Sequence, residues 1–171
     1  MEFSKWVKWT DRNGLEGINK IGIYSIAVTE SDISDSPFQL LREIEYFGMT
    51  NSKGGLKSRL QQFDNTLKER LQHGGADRFK RKYFEMYGKE FYNHIIQNVF
   101  VAIWWFNCTS PDEHNYEDLQ IMGEVAKSEY DCIAEYLKLH TVLPKFNDKK
   151  SSKKYSSIVW ENDSRTINSS L

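Results

Sequence analysis

Gly22-Ile23-Tyr24, inside one apolar run, and Tyr46-Phe47-Gly48, closing a second run ahead of the turn Thr50-Asn51-Ser52-Lys53-Gly54-Gly55, decide how this chain folds. Each run is short, rich in strand-forming residues and bounded by turn residues, which predicts strands over about 20–29 and 43–48. Side chains alternate across a strand, so pairing these two as a hairpin places the phenols of Tyr24 and Tyr46 at neighbouring positions on one sheet face. The intervening stretch, with Ser31-Asp32-Ile33-Ser34-Asp35-Ser36-Pro37, reads as a long inserted turn.

Beyond the turn, Leu56, Leu60, Phe63 and Leu67 recur at the spacing of a helix face laid on a sheet, predicting a helix over about 56–72. Arg59 falls at the edge of that face, where its planar fork of donors suits a phosphate. A second helix is expected over about 77–94. The apolar run Val99–Phe106 reads as part of a third, central strand over about 97–107, the run being far short of the twenty or so residues that span a bilayer. A loop around Pro111 then leads to a long helix over about 116–140. Leu119, Met122, Ala126, Tyr130, Ile133 and Leu137 form its expected buried stripe, with Glu135 off the stripe beside Cys132 and Leu139. The expectation is an α/β (α+β) domain over residues 1–147, a small and mostly antiparallel three-stranded sheet flanked by helices. A basic, polar, flexible tail is expected over 148–171.

The 171 residues, 39% hydrophobic and 14% aromatic, suffice for one buried core. The first residues carry no apolar signal region, which predicts a cytoplasmic protein with no membrane segment. Cys108 and Cys132 are too few and too isolated for a disulfide framework or a zinc site, and His94, His114 and His140 lack ligand spacing. No Gly-Lys-Ser/Thr follows Gly48 or Gly54, so nucleotide hydrolysis has no support.

A formal charge of -1 argues, taken whole, against a nucleic-acid enzyme, but the charge is unevenly distributed. From Lys53 to Lys82 nine Lys/Arg stand against three Asp/Glu, and from Tyr83 to Val142 three stand against ten. The chain turns basic again from Leu143 to Lys154. Lys53, Lys57, Arg78, Lys80, Arg81 and Lys82 are therefore candidates to hold a phosphate backbone.

Taken in order, Gly22-Ile23-Tyr24, Tyr46-Phe47-Gly48, a helix with Arg59, a later helix with Glu135 and the ending Pro144-Lys145-Phe146-Asn147 resemble the GIY-YIG nuclease superfamily. That superfamily includes homing endonucleases, some restriction enzymes and the nuclease domain of the bacterial excision-repair endonuclease. The resemblance implies a DNA endonuclease using Mg²⁺ or Mn²⁺. It makes Tyr24 the base, Tyr46 the group orienting water or phosphate, and Arg59 the phosphate holder. Glu135 becomes the one protein ligand of the metal, and Asn147 a buttress. Two departures stand out: the segment between the tripeptides is long, and Phe63 occupies the place of a histidine found four residues after the arginine in many members. His73 either enters the site or caps a helix end. Little chain lies beyond the core, so recognition of long DNA sites requires a homodimer, a protein partner or the chain's own loops. The alternative implied reading is a GIY-YIG fold that binds nucleic acid or protein and no longer cuts.

Overall fold

The computed structural model describes residues 1–68, 73–109 and 115–157. Its centre is the strand β2, Ile21–Val28, which pairs antiparallel with β3, Ile44–Thr50, on one side and with β4, Val99–Phe106, on the other. A two-residue strand, β1 (Val7–Lys8), adds to the far edge of β4 and gives a four-stranded sheet of order β1-β4-β2-β3. The three-strand expectation missed β1 because two residues flanked by Trp6 and Trp9 show no alternation. Nearly all of β2 is buried, which accounts for its unbroken apolar run: both of its faces are covered.

On one face, Tyr24, Ile26, Val101 and Ile103 pack against α1, Gly55–Lys68, and α2, Gly74–Tyr87. The short α3, Phe91–Ile95, joins them through Phe91 and Ile95. The expected second helix is thus broken after Tyr87, where Gly88 at positive φ ends α2. On the opposite face Ile23, Ala27, Ile44, Phe47, Phe100 and Ala102 pack against α4, Tyr116–His140. The inserted segment between the two strands covers this second core with Ile33, Phe38, Leu40 and Leu41, and Phe38 stacks on Phe3 at 4.0 Å.

The buried stripe of α4 matches the expected one only in part: Met122 and Ile133 pack partly against the core, but the fully buried row is another. Asp118, Val125, Ser128, Cys132 and Tyr136 face the sheet, whereas Leu119, Tyr130 and Leu137 are exposed. The helix carries two interleaved rows at helical spacing, and the sheet took the smaller, more polar one because it lets the backbone approach closely. Both cysteines are buried and free. His94 stacks on Tyr87 and His140 hydrogen-bonds the Leu40 carbonyl, while His114 lies outside the described residues.

After α4 the chain crosses the outer edge of β3. A bulge between Ile26 and Ala27 leaves Glu45 unpaired in the ladder. Glu45 accepts from Lys82 Nζ and from Tyr83 Oη (2.9 Å) on α2, and its carbonyl accepts the Phe146 N–H (2.9 Å). Residues 148–157 do not hang free as a tail. Ser156 donates to Asp77 on α2 (Oγ to Oδ2 2.7 Å), and Tyr155 packs edge-on to Phe84. The remainder of the expected tail lies outside the described residues.

Asp64 of α1 is 2% exposed and gathers four donors, three of which tie α1 to other segments while Lys68 lies on α1 itself. Trp9 Nε1 and Tyr92 Oη donate to Oδ1 at 2.9 and 2.8 Å; Lys68 Nζ and Arg12 lie 2.9 and 3.5 Å from Oδ2. Burial pushes this carboxyl up, but the donors from Trp9, Lys68 and Tyr92 and the Arg12 charge outweigh it and hold the carboxyl below its usual value. Asp64→Ala leaves Arg12 buried without its counter-charge and should cost about 3 kcal/mol, read as a lower denaturant midpoint at unchanged slope. Because the folded value is depressed, the contribution is complete above the unfolded value of about 4 and drains as pH falls through the folded one. The midpoints of parent and variant should therefore converge in acid.

Candidate active site

The ladder pairs Tyr24 with Gly48 and Ile26 with Tyr46, which sets the two phenols diagonally on one face with ring centroids 5.9 Å apart. A Cβ at position 48 would overlap the Tyr24 hydroxyl, and one at position 75 would collide with the Tyr46 ring. Gly48 is therefore needed for Tyr24 to lie flat across β3, and Gly75 for the start of α2 to reach Tyr46.

His73 stands between these elements. It is the N-cap of α2, and its Nδ1 accepts the N–H groups of Gly75 (3.1 Å) and Ala76 (3.2 Å). Burial, followed by the nearby Arg59 charge, pushes its pKa from 6.5 down to about 3, so the ring is neutral. A neutral ring with Nδ1 accepting carries its proton on Nε2, which donates to Tyr24 Oη at 2.6 Å. Tyr24 keeps its own proton, and its hydroxyl is among the influences that lower the Tyr46 pKa. His73 donates to Tyr24, whose ring lies beside that of Tyr46. His73 thus caps the start of α2, not the end of the preceding helix, and bonds the phenol with its other nitrogen. Its ring lies 5.1 Å from that of Phe63.

Of the three, only Tyr46 meets solvent. Tyr24 is fully buried, and burial, then the neighbouring Tyr46, raises its pKa well above 10 against the opposing Arg59 charge. Tyr46 lines a cavity of about 890 Å³ together with Arg78, Glu129, Tyr130, Asn147 and Lys149. Burial and the Glu129 charge raise its pKa; Arg59, the Tyr24 hydrogen bond and Arg78 lower it. The base expected at Tyr24 is thus shut away from any substrate, and Tyr46 is the phenol at the surface.

Arg59 is half-buried. Its guanidinium donates to Gln62 Oε1 at 3.1 Å, while its Nε is buried without a partner, and its charge acts on Tyr24, Tyr46, His73 and Glu129. Arg78 repeats the pattern, with Nη1 donating to the Gly74 carbonyl and a buried, unpartnered Nε. An anion between them would satisfy such orphaned donors.

The expected carboxylate is not here. Glu135 is exposed and pairs with Lys138 at 3.4 Å. Six residues earlier, about 120° around the helix, Glu129 turns its half-buried carboxylate to the cavity. Burial raises its pKa, opposed by Arg59 and Lys149, and among the described residues no donor is hydrogen-bonded to it. The signal that singles it out is helix phase: Val125, Ser128, Cys132 and Tyr136 face the sheet, and Glu129 borders that row. Asn147 accepts the Phe47 N–H and donates to the Phe47 carbonyl, both at 2.8 Å, and so closes the outer edge of β3 beside Tyr46.

The expected basic contacts divide. Arg78, Arg81 and Lys82 line a trough of about 240 Å³ with Lys145 and Lys153, although Arg81 also pairs with Glu85, and Lys82 with Glu45. Lys80 faces inward, 9% exposed, its ammonium over the Tyr155 ring, because consecutive residues fan around a helix. Lys53 and Lys57 are exposed at the start of α1, with Lys57 lining a separate pocket.

No family model, no curated protein and no solved structure matches the chain.

The assigned tautomer has a direct readout. ¹⁵N correlation spectra of His73 should show a protonated Nε2 and no titration between pH 5 and 8. The unfolded ring takes up a proton below about 6.5 that the folded one refuses, so His73 favours the folded state fully above that pH and progressively less toward pH 3. An imidazole titrating near 6.5 would dismantle this arrangement.

Proposed function

We propose that this protein is a metal-dependent endonuclease that hydrolyses DNA phosphodiester bonds at a GIY-YIG-like site formed by Tyr46, Arg59 and Glu129, with Tyr24, His73 and Asn147 behind them. The observation that carries the reading is the buried, unpartnered Nε of Arg59 in the same electrostatic cluster as an unpaired carboxylate and a cavity-lining phenol. Phosphodiester hydrolysis calls for those three groups: positive charge for the phosphoryl oxygens, an anchor for a cation, and a proton acceptor for water.

The donor set suits one Mg²⁺ or Mn²⁺. Among the described residues no three His, Cys, Asp or Glu converge, whereas a single carboxylate with open coordination fits an ion that keeps most of its waters. Asp148 also lines the cavity, but it is committed to its own turn, accepting the N–H groups of Lys150 and Ser151. Glu129 would hold the cation, which would supply charge for the scissile phosphate and the leaving oxygen. Neutralising Glu129 also removes the influence that, after burial, holds the Tyr46 proton most firmly. Tyr46, ionised and stabilised by the Tyr24 hydroxyl, takes a proton from water. The water oxygen forms the new bond to phosphorus, the bond to the leaving oxygen breaks, and solvent protonates that oxygen. Arg59 holds the phosphoryl oxygens throughout.

Supercoiled plasmid should be nicked or linearised with Mg²⁺ and left intact with chelator. Glu129→Gln and Tyr46→Phe should each lower the single-turnover rate by about a hundredfold or more, and Glu135→Ala should cut at the parental rate. A base with a raised pKa makes the rate climb from pH 7 toward 9. If Glu135→Ala is inactive and Glu129→Gln is not, the carboxylate assignment is reversed. Binding of DNA without cleavage under any divalent metal would leave a binding module built on the same arginines.

A further inference from the structure

The cavity beside Tyr46 has two unlike walls. On one, Tyr130 of α4 stands 73% exposed beside Ile133, with Leu143, 37% exposed, just beyond the helix. The other is cationic, formed by Arg78, Lys149 and Lys150. Ile133 packs partly against the sheet's core, but the exposed Tyr130 lies off the row of α4 that covers the sheet, and the buried Nε of Arg78 has no partner. Arg78 also lines the adjoining trough, so cationic side chains run without interruption from the cavity into that trough.

We propose that this cavity is a subsite for an unpaired stretch of DNA strand, its bases against Tyr130, Ile133 and Leu143 and its phosphates on Arg78, Lys149 and Lys150. The inference rests on the nuclease reading and names the class of substrate. An exposed aromatic ring flanked by aliphatic side chains offers a stacking platform that any base can use, and cations lining the same cavity match the backbone of the same strand. A base inside a duplex already has both faces stacked and its edge paired, so it reaches such a wall only when splayed out or single-stranded. The volume, about 890 Å³, is at the upper end of what small-ligand sites enclose, enough for a nucleotide or more but open at the rim for a continuing strand. The substrates implied are frayed, bubbled or branched DNA, in which an unpaired segment lies beside the bond to be cut.

The test uses the full chain carrying Glu129→Gln to suppress cleavage, with and without Tyr130→Ala. Fluorescence anisotropy would compare a labelled 12-nucleotide oligo(dT) with a duplex of the same length, and a 2-aminopurine in the single strand would report stacking. The single strand should bind more tightly than the duplex and quench the 2-aminopurine. Tyr130→Ala should weaken single-strand binding by about tenfold and abolish the quench, leaving duplex binding unchanged, and Tyr130→Trp should restore both. Equal loss on both DNAs, or no loss, overturns the subsite even if the parent cleaves plasmid with Mg²⁺. If the parent never cleaves but the Tyr130-dependent preference persists, the subsite stands and the nuclease reading falls. Dimerisation that Tyr130→Ala abolishes without any effect on DNA binding would assign this wall to a second copy of the chain and overturn the proposal.

Discussion

One imidazole couples the helical layer to the sheet at the place where the chemistry would occur. With Nδ1 committed to the first turn of α2 and Nε2 to the Tyr24 hydroxyl, His73 has no spare protonation state. A proton added to the ring would leave Nδ1 unable to cap the helix and place a charge in a buried pocket already under the Arg59 field. Helix start, ring orientation and hydrogen-bond direction are therefore fixed together. Tyr46 is backed by the Tyr24 ring, and its exposed side is left for whatever enters the cavity. The arrangement works as preorganisation: the polar groups point the right way before any substrate arrives.

The cationic side of the site is held in tension by the same economy. Arg59 lies close enough to Tyr24, Tyr46, His73 and Glu129 to influence all four, and its Nε has no protein acceptor. A buried donor without a partner costs the fold roughly 1–3 kcal/mol, a cost that an incoming phosphate oxygen would relieve. Arg78 holds the same kind of deficit a turn into α2. Asp64, with its four donors, and the Lys82–Glu45–Tyr83 cluster show the opposite arrangement, charges closed off by protein partners.

The sheet was largely legible in the sequence because its signal is strong: apolar runs ended by turn residues at 29–31 and 50–55, and a third run at 99–106. The α1 stripe was legible for the same reason, since Leu56, Leu60, Phe63 and Leu67 have no rival row. The site was legible only as far as chain-local rules reach. Tyr46 and Arg59 follow from strand alternation and helix phase. Glu129 did not, because the order of motifs along the chain fixes no rotation about α4, which offers two rows between which only the sheet chooses. The inward turn of Lys80, the dual role of His73 and the burial of Tyr24 all depend on which surface lies opposite, which no local pattern records.

The edge of β3 is closed by Asn147 and Phe146, a hundred residues further along the chain, and Glu129 reaches the cavity from a helix that begins at Tyr116. During synthesis, then, both phenols, both arginines and His73 emerge from the ribosome well before the carboxylate and the strand closure that complete the constellation. A nascent chain carrying everything up to α2 would have cationic side chains but no anchor for a metal ion. Any capacity to break DNA would therefore arise late, as a property of the finished fold and not of its first-made half.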